Sequence, residues 1–260
     1  MAVLALSGGG RAQQSSGGFQ MEVQNPLNCT ANYRARKGDR VILSYQGLLA
    51  SGEQFDNGTL DFTLGAGKVI PGLERGMTGG CAGEKIVLIV PPELGYGDVK
   101  ADKIPAGSTL YFITSLNGIV RKAEPTKNYN CNAAQKARPD INVDMKITGQ
   151  VIKPDGRGSK FFDDPSFEYR YGTRSALIYQ GIEAGMTGAC PDETRLLFLG
   201  PSLAYGQKGS SNKKVRPGES VMFRITVTKV FDKEPANKTD LTLSFLQSIS
   251  SGNLNRGGRR

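Results

Sequence analysis

The most legible chemistry in this chain belongs to four cysteines, Cys29, Cys81, Cys131 and Cys190. A zinc site does not suit them, because no two form a C-x-x-C pair and the chain has no His to complete a ligand set. Lack of His also removes the side chain most used for acid–base work near neutral pH, so catalysis would have to proceed without imidazole. Pairing remains. Cys81 and Cys190 occupy the same frame, GMTG-x-C, 109 residues apart (190 − 81), and Cys29 and Cys131 each precede one copy. This arrangement predicts one disulfide per copy, Cys29 with Cys81 and Cys131 with Cys190, in an oxidising compartment. Four buried thiols in a reducing compartment are the alternative.

The shared frame is part of a longer repeat. VIPGLERGMTGGCAGEKIVLIVPPELGYG at residues 69–97 returns as IYQGIEAGMTGACPDETRLLFLGPSLAYG at 178–206. A chain of 260 residues carrying such a repeat reads as two domains of roughly 110 residues each. The boundaries expected are a disordered Gly/Ser/Gln-rich arm over 1–20, a first domain over 21–120, a linker over 121–139, a second domain over 140–232 and a tail over 233–260.

Each copy reads as strands around one short helix, an α+β architecture. In the first, residues 21–32 suggest an edge strand, 40–45 a half-buried strand, 48–55 a strand, turn and strand, 56–58 a loop and 62–64 a short strand. Pro71 suits the first position of a helix that the glycines at 79–80 stop. A central strand at 85–90, a Pro/Gly-rich loop at 91–106 and a strand at 108–119 complete it. The second copy repeats this with a helix near 181–186, strands at 194–199 and 220–230, and a loop at 202–217. Leu241, Phe245 and Ile249 are four apart and fit an amphipathic helix over 240–250.

The net charge of +9 would favour nucleic acid if the bases were clustered. They form only short runs in predicted loops, such as Arg34, Arg36, Lys37 and Arg40, or Lys213, Lys214 and Arg216. A solvated surface and no nucleic-acid partner are expected. No stretch approaches the ~18 apolar residues of a membrane span. Sequons at Asn28, Asn57 and Asn237 are compatible with secretion. Residues 2–6 are too short an apolar run for a signal peptide, so a mature or truncated secretory form is expected. The end at Arg260 carries no retention signal of the KDEL type.

Taken together, GDRVILSYQGLLASGEQFD, GAGKVIPGLERGM, GEKIVLIVPPELGYG and IPAGSTLYF resemble the FKBP family of peptidyl-prolyl cis-trans isomerases, the rotamases among the immunophilins. The resemblance covers about 38–119 and, more weakly, 141–231. A cysteine ahead of the domain paired with that of GMTG-x-C resembles the family's endoplasmic-reticulum members, among which tandem arrays of folding catalysts occur. The resemblance implies an antiparallel sheet wrapped around one helix in each copy, no cofactor and no metal, and Pro-containing unfolded or nascent polypeptides as partners. Location would be the endoplasmic reticulum lumen or the secreted space.

By that resemblance Tyr45, Phe55, Val69, Ile70, Leu73, Tyr96, Ile104 and Phe112 wall a proline pocket in the first domain, with Asp56 at its rim. The Tyr96 hydroxyl and the Ile70 N–H would donate to substrate carbonyls. Each residue also has a plain structural reading: alternating aromatics as core, Asp56 opening an Asx turn, Tyr96 bracing its loop. Leu73 stands where many members have Trp, and the segment after Asp56 is short, which puts macrolide binding in more doubt than isomerisation. In the second domain Phe162, Asp163, Tyr205 and Phe223 match, while Ile147 replaces the first Tyr, Ile182 the floor, Tyr179 the counterpart of Ile70, and Arg216 the Pro of I-P-x-G. Weak or absent catalysis is expected there. A non-enzymatic chaperone or adaptor holding Pro-containing segments is the alternative for the whole chain.

Overall fold

The computed structural model describes residues 12–14, 18–153, 158–172 and 176–231, which divide into two compact units between Ile119 and Val120. Each is an antiparallel sheet holding one short helix, so the α+β expectation is met. In chain order the first contains β1 (Ala12–Gln14), β2 (Gln20–Val23), β3 (Arg40–Leu49), β4 (Gln54–Thr63), α1 (Pro71–Met77), β5 (Lys85–Val90) and most of β6 (Leu110–Lys122). Across its sheet the order is β1-β2-β5-β6-β3-β4. The second contains β7 (Asn142–Val151), β8 (Ser159–Arg170), α2 (Leu177–Met186), β9 (Thr194–Leu199) and β10 (Val221–Phe231), in the order β9-β10-β7-β8.

Period-two burial builds each sheet. Ile86, Leu88 and Val90 of β5 and Leu110, Phe112 and Leu116 of β6 are buried, while Val87, Ile89 and Ile113 on the other face are more open. The helices sit very close to their sheets because glycine recurs every four residues on the contacting side. A Cβ at Gly72 would come within 2.4 Å of Val90, and one at Gly76 within 2.5 Å of Leu88. Gly181 and Gly185 repeat this against the Leu203 carbonyl at 2.2 Å and Leu197 at 2.3 Å. At each C-terminus a threonine hydroxyl donates back to a helix carbonyl, Thr78 to Glu74 at 2.8 Å and Thr187 to Glu183 at 2.7 Å. A glycine at positive φ then ends the turn, Gly79 at 83° and Gly188 at 77°.

Both expected disulfides are present, Cys29–Cys81 and Cys131–Cys190. A buried carboxylate anchors each. Glu84 accepts from the Leu27 N–H at 2.9 Å and the Cys81 N–H at 2.8 Å. Glu193 accepts from the Cys190 N–H at 3.0 Å and from Arg195 Nε at 2.8 Å. Burial alone would raise the Glu193 carboxyl; Arg195, the Cys190 N–H and Lys122 together outweigh it and hold it below its ordinary value.

Several expectations need correction. Residues 56–58 are not a loop: β4 runs through them in register with β3, Asp56 opposite Gly47 and Gly58 opposite Tyr45. The arm over 1–20 is not wholly disordered, because Gln20 pairs with Ile89, β1 pairs with β2, and Phe19 is buried beneath the Arg75 guanidinium at 4.8 Å. The free edge of β5 takes a partner strand, and Phe19 anchors it. Arg121 and Lys122 are strand rather than linker. They fall in the second unit, where Arg121 lies 5.1 Å over the Phe198 ring and the adjacent Ala123 N–H donates to the Thr194 carbonyl at 2.9 Å. Helix α2 begins at Leu177, upstream of the expected 181. The helix expected over 240–250 lies outside the described residues.

Candidate active site

In the first domain Phe55 and Asp56 are brought to one face, with Tyr45 and Phe112, by one irregularity between β3 and β4. Gly47 pairs with Asp56 and Leu48 with Gln54, so Phe55 is an extra residue and Phe55 and Asp56 together oppose Gly47. Such a bulge turns two consecutive side chains toward one face. Gly47 lets the Phe55 ring lie over the strand: a Cβ would come within 2.5 Å of the ring's tip and displace it.

Phe112, buried on β6, forms the centre. The Phe55 ring meets it edge-on at 5.7 Å and the Tyr45 ring at 6.3 Å with a 49° tilt. Leu73 of α1 and Ile104 of the 91–106 loop are buried, whereas Tyr45, Phe55, Val69 and Ile70 are half-buried and Tyr96 is 44% exposed. Half-exposed aromatic rings around a buried one make an apolar surface that is open to solvent.

Polar groups stand only at the edge. The Tyr45 hydroxyl donates to Asp56 Oδ2, and Asp56 Oδ1 accepts from the Asn57 N–H at 2.8 Å. Burial first, then the bond to and charge of Asp56 and the nearby Tyr96, push the Tyr45 phenol up to about 12. It therefore remains a neutral donor at physiological pH. Ile70 precedes Pro71 in an extended conformation, φ −58° and ψ 145°, and its N–H makes no hydrogen bond among the described residues. The carbonyl side is occupied, accepting from Leu73 at 3.0 Å and Glu74 at 3.4 Å. The Ile70 N–H is thus a backbone donor with no partner among the described residues.

The second domain packs the corresponding region with buried aromatic rings. Its bulge pairs Gly149 with Phe162 and Gln150 with Lys160, so Phe161 and Phe162, rather than Phe162 and Asp163, occupy the stations of Phe55 and Asp56. The Phe161 ring meets Phe223 at 5.7 Å and Tyr205 at 5.7 Å, both near perpendicular. Phe161 was not among the expected residues. The signal that could have found it is the G-x-x-F spacing of Gly52 to Phe55, which recurs from Gly158 to Phe161, and the bulge opposite Gly149 agrees with it. Asp163 is exposed and bonded to Lys160 and to Thr148. That contact with Lys160 lowers its pKa.

Ile147, Phe162, Tyr179, Ile182 and Phe223 are all buried. Tyr179 stacks on Tyr169 at 5.6 Å and 5°, and its N–H donates to the Ala176 carbonyl at 2.9 Å inside the first turn of α2. Burial, then the nearby Tyr179, raises the Tyr205 phenol. Arg216 is exposed, and its N–H, which Pro105 lacks, donates to Glu219 at 2.7 Å. Among the described residues of the second domain, Ile147 and Phe162 stand at the register positions of Tyr45 and Asp56, the Tyr179 N–H is bonded, and Phe161, Phe162 and Tyr179 are buried.

Among the described residues no group of three or more His, Cys, Asp or Glu is arranged to hold a metal ion, and no helix is long and apolar enough to cross a membrane.

Comparison with known proteins bears on both domains. The model of the FKBP-type peptidyl-prolyl cis-trans isomerase family matches residues 31–117 and again 133–228. The chain is similar to human "Peptidyl-prolyl cis-trans isomerase FKBP10", 32% identical over 213 residues, which is 76% of this chain and 35% of that protein. It therefore spans about a third of the length of that relative. "FK506-binding protein 2" of Gibberella zeae is 46% identical over 115 residues, 42% of this chain and 58% of that one. Among solved structures, the three FKBP domains of wheat FKBP73 align over 83% of this chain and 95% of that one, with a TM-score of 0.38 at 18% identity.

Proposed function

The chain belongs to the FKBP-type peptidyl-prolyl cis-trans isomerase family, and from that premise we propose that its first domain isomerises X–Pro bonds of client polypeptides while its second binds or braces without appreciable catalysis. The observation that carries this reading is the contrast between the two sites. In the first, half-exposed Tyr45 and Phe55 flank Phe112, the Ile70 N–H has no partner among the described residues and Tyr45 pairs with Asp56; in the second, Phe161, Phe162 and Tyr179 are buried and the Tyr179 N–H is bonded.

The reaction needs no nucleophile and no titrating group. Amide resonance opposes rotation about X–Pro with a barrier of ~20 kcal/mol, and uncatalysed exchange takes tens of seconds. In the planar ground state, resonance places negative charge on the amide oxygen; at the twisted transition state that charge separation falls away. An apolar surface made by Phe112, Phe55, Tyr45 and Leu73 therefore favours the twisted amide relative to the planar one. The Ile70 N–H holds a flanking carbonyl of the client, and the Tyr96 hydroxyl takes another. Both fix the chain on either side of the rotating bond, so that rotation occurs in one bound geometry.

Two disulfides suit an oxidising compartment, and we assign the chain to the secretory pathway, either retained in the endoplasmic reticulum or secreted. Clients are unfolded or nascent chains containing proline. Macrolide ligands would bind weakly, since Leu73 offers less ring-stacking surface than Trp.

The test is catalysis of X–Pro exchange in a peptide and in a refolding client by the full chain and by its Phe112→Ala and Phe223→Ala variants. Loss of rate with the first and not with the second supports the assignment. A full chain no faster than background removes the enzyme and leaves a holding chaperone that uses the same apolar surface.

A further inference from the structure

The three sequons differ in their surroundings. Asn28 is followed by Cys29, which is buried and bonded to Cys81, and by the half-buried Thr30. Asn237 lies outside the described residues. Asn57 and Thr59 are both exposed on β4. Two residues apart on a strand, they share one face, opposite the face on which Asp56 meets Tyr45. Gly58 between them adds no side chain. β4 pairs only with β3 among the described strands, which makes it an edge.

We propose that Asn57 carries an N-linked glycan, an inference that rests on the secretory reading above. The donor is a polyprenyl-diphosphate-linked oligosaccharide. The Asn57 side-chain nitrogen bonds to the anomeric carbon, the bond from that carbon to the diphosphate oxygen breaks, the amide loses one proton, and the lipid diphosphate leaves. Modification acts on the chain as it enters the compartment, and the folded position then has to tolerate a bulky polar group. At Asn57 the sugar projects into solvent and away from the apolar surface. It also covers an edge that would otherwise offer unpaired N–H and C=O groups to an extended client beside the site.

The full chain is expressed behind a cleavable secretory signal in a eukaryotic host that performs N-glycosylation. Peptide N-glycosidase treatment in heavy-oxygen water, followed by mass spectrometry, reads residue 57. The expected results are an isotope-labelled Asp at 57, loss of one glycan's mobility shift in Asn57→Gln and Thr59→Val, and retention of the shift in Thr59→Ser. Recovery of unmodified Asn57 in the disulfide-bonded product, or an Asn57→Gln chain with the wild-type shift, overturns the proposal. Because the added signal forces entry into the oxidising compartment, that failure is separate from failure of the location itself. Four reactive thiols in the protein isolated from its native source would refute the location.

Discussion

The Tyr45–Asp56 pair admits a sharp test. The Tyr45 hydroxyl donates to Asp56 Oδ2, and the Asn57 N–H holds the other oxygen at 2.8 Å, so the phenol and carboxylate position each other at the mouth of the site. A hydrogen bond to a charged group is worth about 1.5–3 kcal/mol when sheltered. Asp56 is exposed, which reduces this to ~1 kcal/mol. Lost from transition-state binding, ~1 kcal/mol lowers kcat/KM about fivefold. The perturbations are Tyr45→Phe, Asp56→Ala and the double variant, assayed by exchange of an X–Pro peptide followed by NMR. Each single change is expected to lower kcat/KM about fivefold, and the double change by about the same factor, because both remove one unit. Stability should stay within about 0.5 kcal/mol, since neither residue is core. Effects that multiply to about 25-fold would refute the coupling. A silent Tyr45→Phe beside an impaired Asp56→Ala would also refute it, showing that the carboxylate meets the substrate directly.

Four further outcomes follow from the geometry. With no His in the chain and the Tyr45 phenol at about 12, kcat/KM should be flat between about pH 6 and 9; a bell-shaped profile would point to a titrating group. Replacing both cysteines of either disulfide by Ser should cost that domain ~4 kcal/mol, because each bond closes a loop with a sequence separation of 52 or 59 residues, as read by urea melts. The depressed Glu193 carboxyl contributes stability that is present above the ordinary glutamate value of ~4.3 and lost as pH falls through the folded value. Melting temperature of the second domain should therefore drop in acid, and Glu193→Gln should reduce that dependence while destabilising the domain by about 3–5 kcal/mol through the buried Arg195 charge left without its carboxylate. Last, Ile147→Tyr with Phe162→Asp should not by itself give the second domain activity, since the Tyr179 N–H remains bonded within α2; rate gained by that pair alone, in a Phe112→Ala background, would show the backbone donor to be dispensable.

The repeat made the architecture legible, and the matched frames of Cys81 and Cys190 made the disulfides legible, because both are carried by residue type at constant spacing. What escaped was information held in the backbone. Asp56, Asn57 and Gly58 carry turn chemistry, yet β3 supplies a full set of partners and the segment pairs as strand; tertiary pairing overrides local preference. The bulges opposite Gly47 and Gly149 leave little composition signal, but the G-x-x-F spacing of Gly52 to Phe55, repeated from Gly158 to Phe161, already matches Phe161 with Phe55. Glu84 and Glu193 stand in hydrophilic runs, GEK and DET, and only the fold shows them buried against the disulfides. The four-residue spacing of Gly72 and Gly76, repeated at Gly181 and Gly185, is itself a sequence signal. It states how closely each helix lies on its sheet.

Helix start, more than sheet or core, separates the two sites. Pro71 has no N–H to give, and its ring disfavours helical backbone at the residue before it, so Ile70 stays extended and its N–H faces outward from the helix ladder. In the shared frame Gln180 takes the place of Pro71 (180 − 71 = 109, the offset of the cysteines). Gln180 has an N–H and donates it to the Ala176 carbonyl at 3.3 Å. Helix α2 then begins three residues before Gln180 (180 − 177), Tyr179 is drawn into the first turn, and its ring stacks on Tyr169. One proline therefore accounts both for the free donor in the first domain and, by its absence, for the occupied donor in the second. The scaffold is indifferent to this exchange. The paired helix glycines run along each helix, and the disulfide and its buried glutamate lie beyond its C-terminus, so the helix start can differ between copies while the fold is kept.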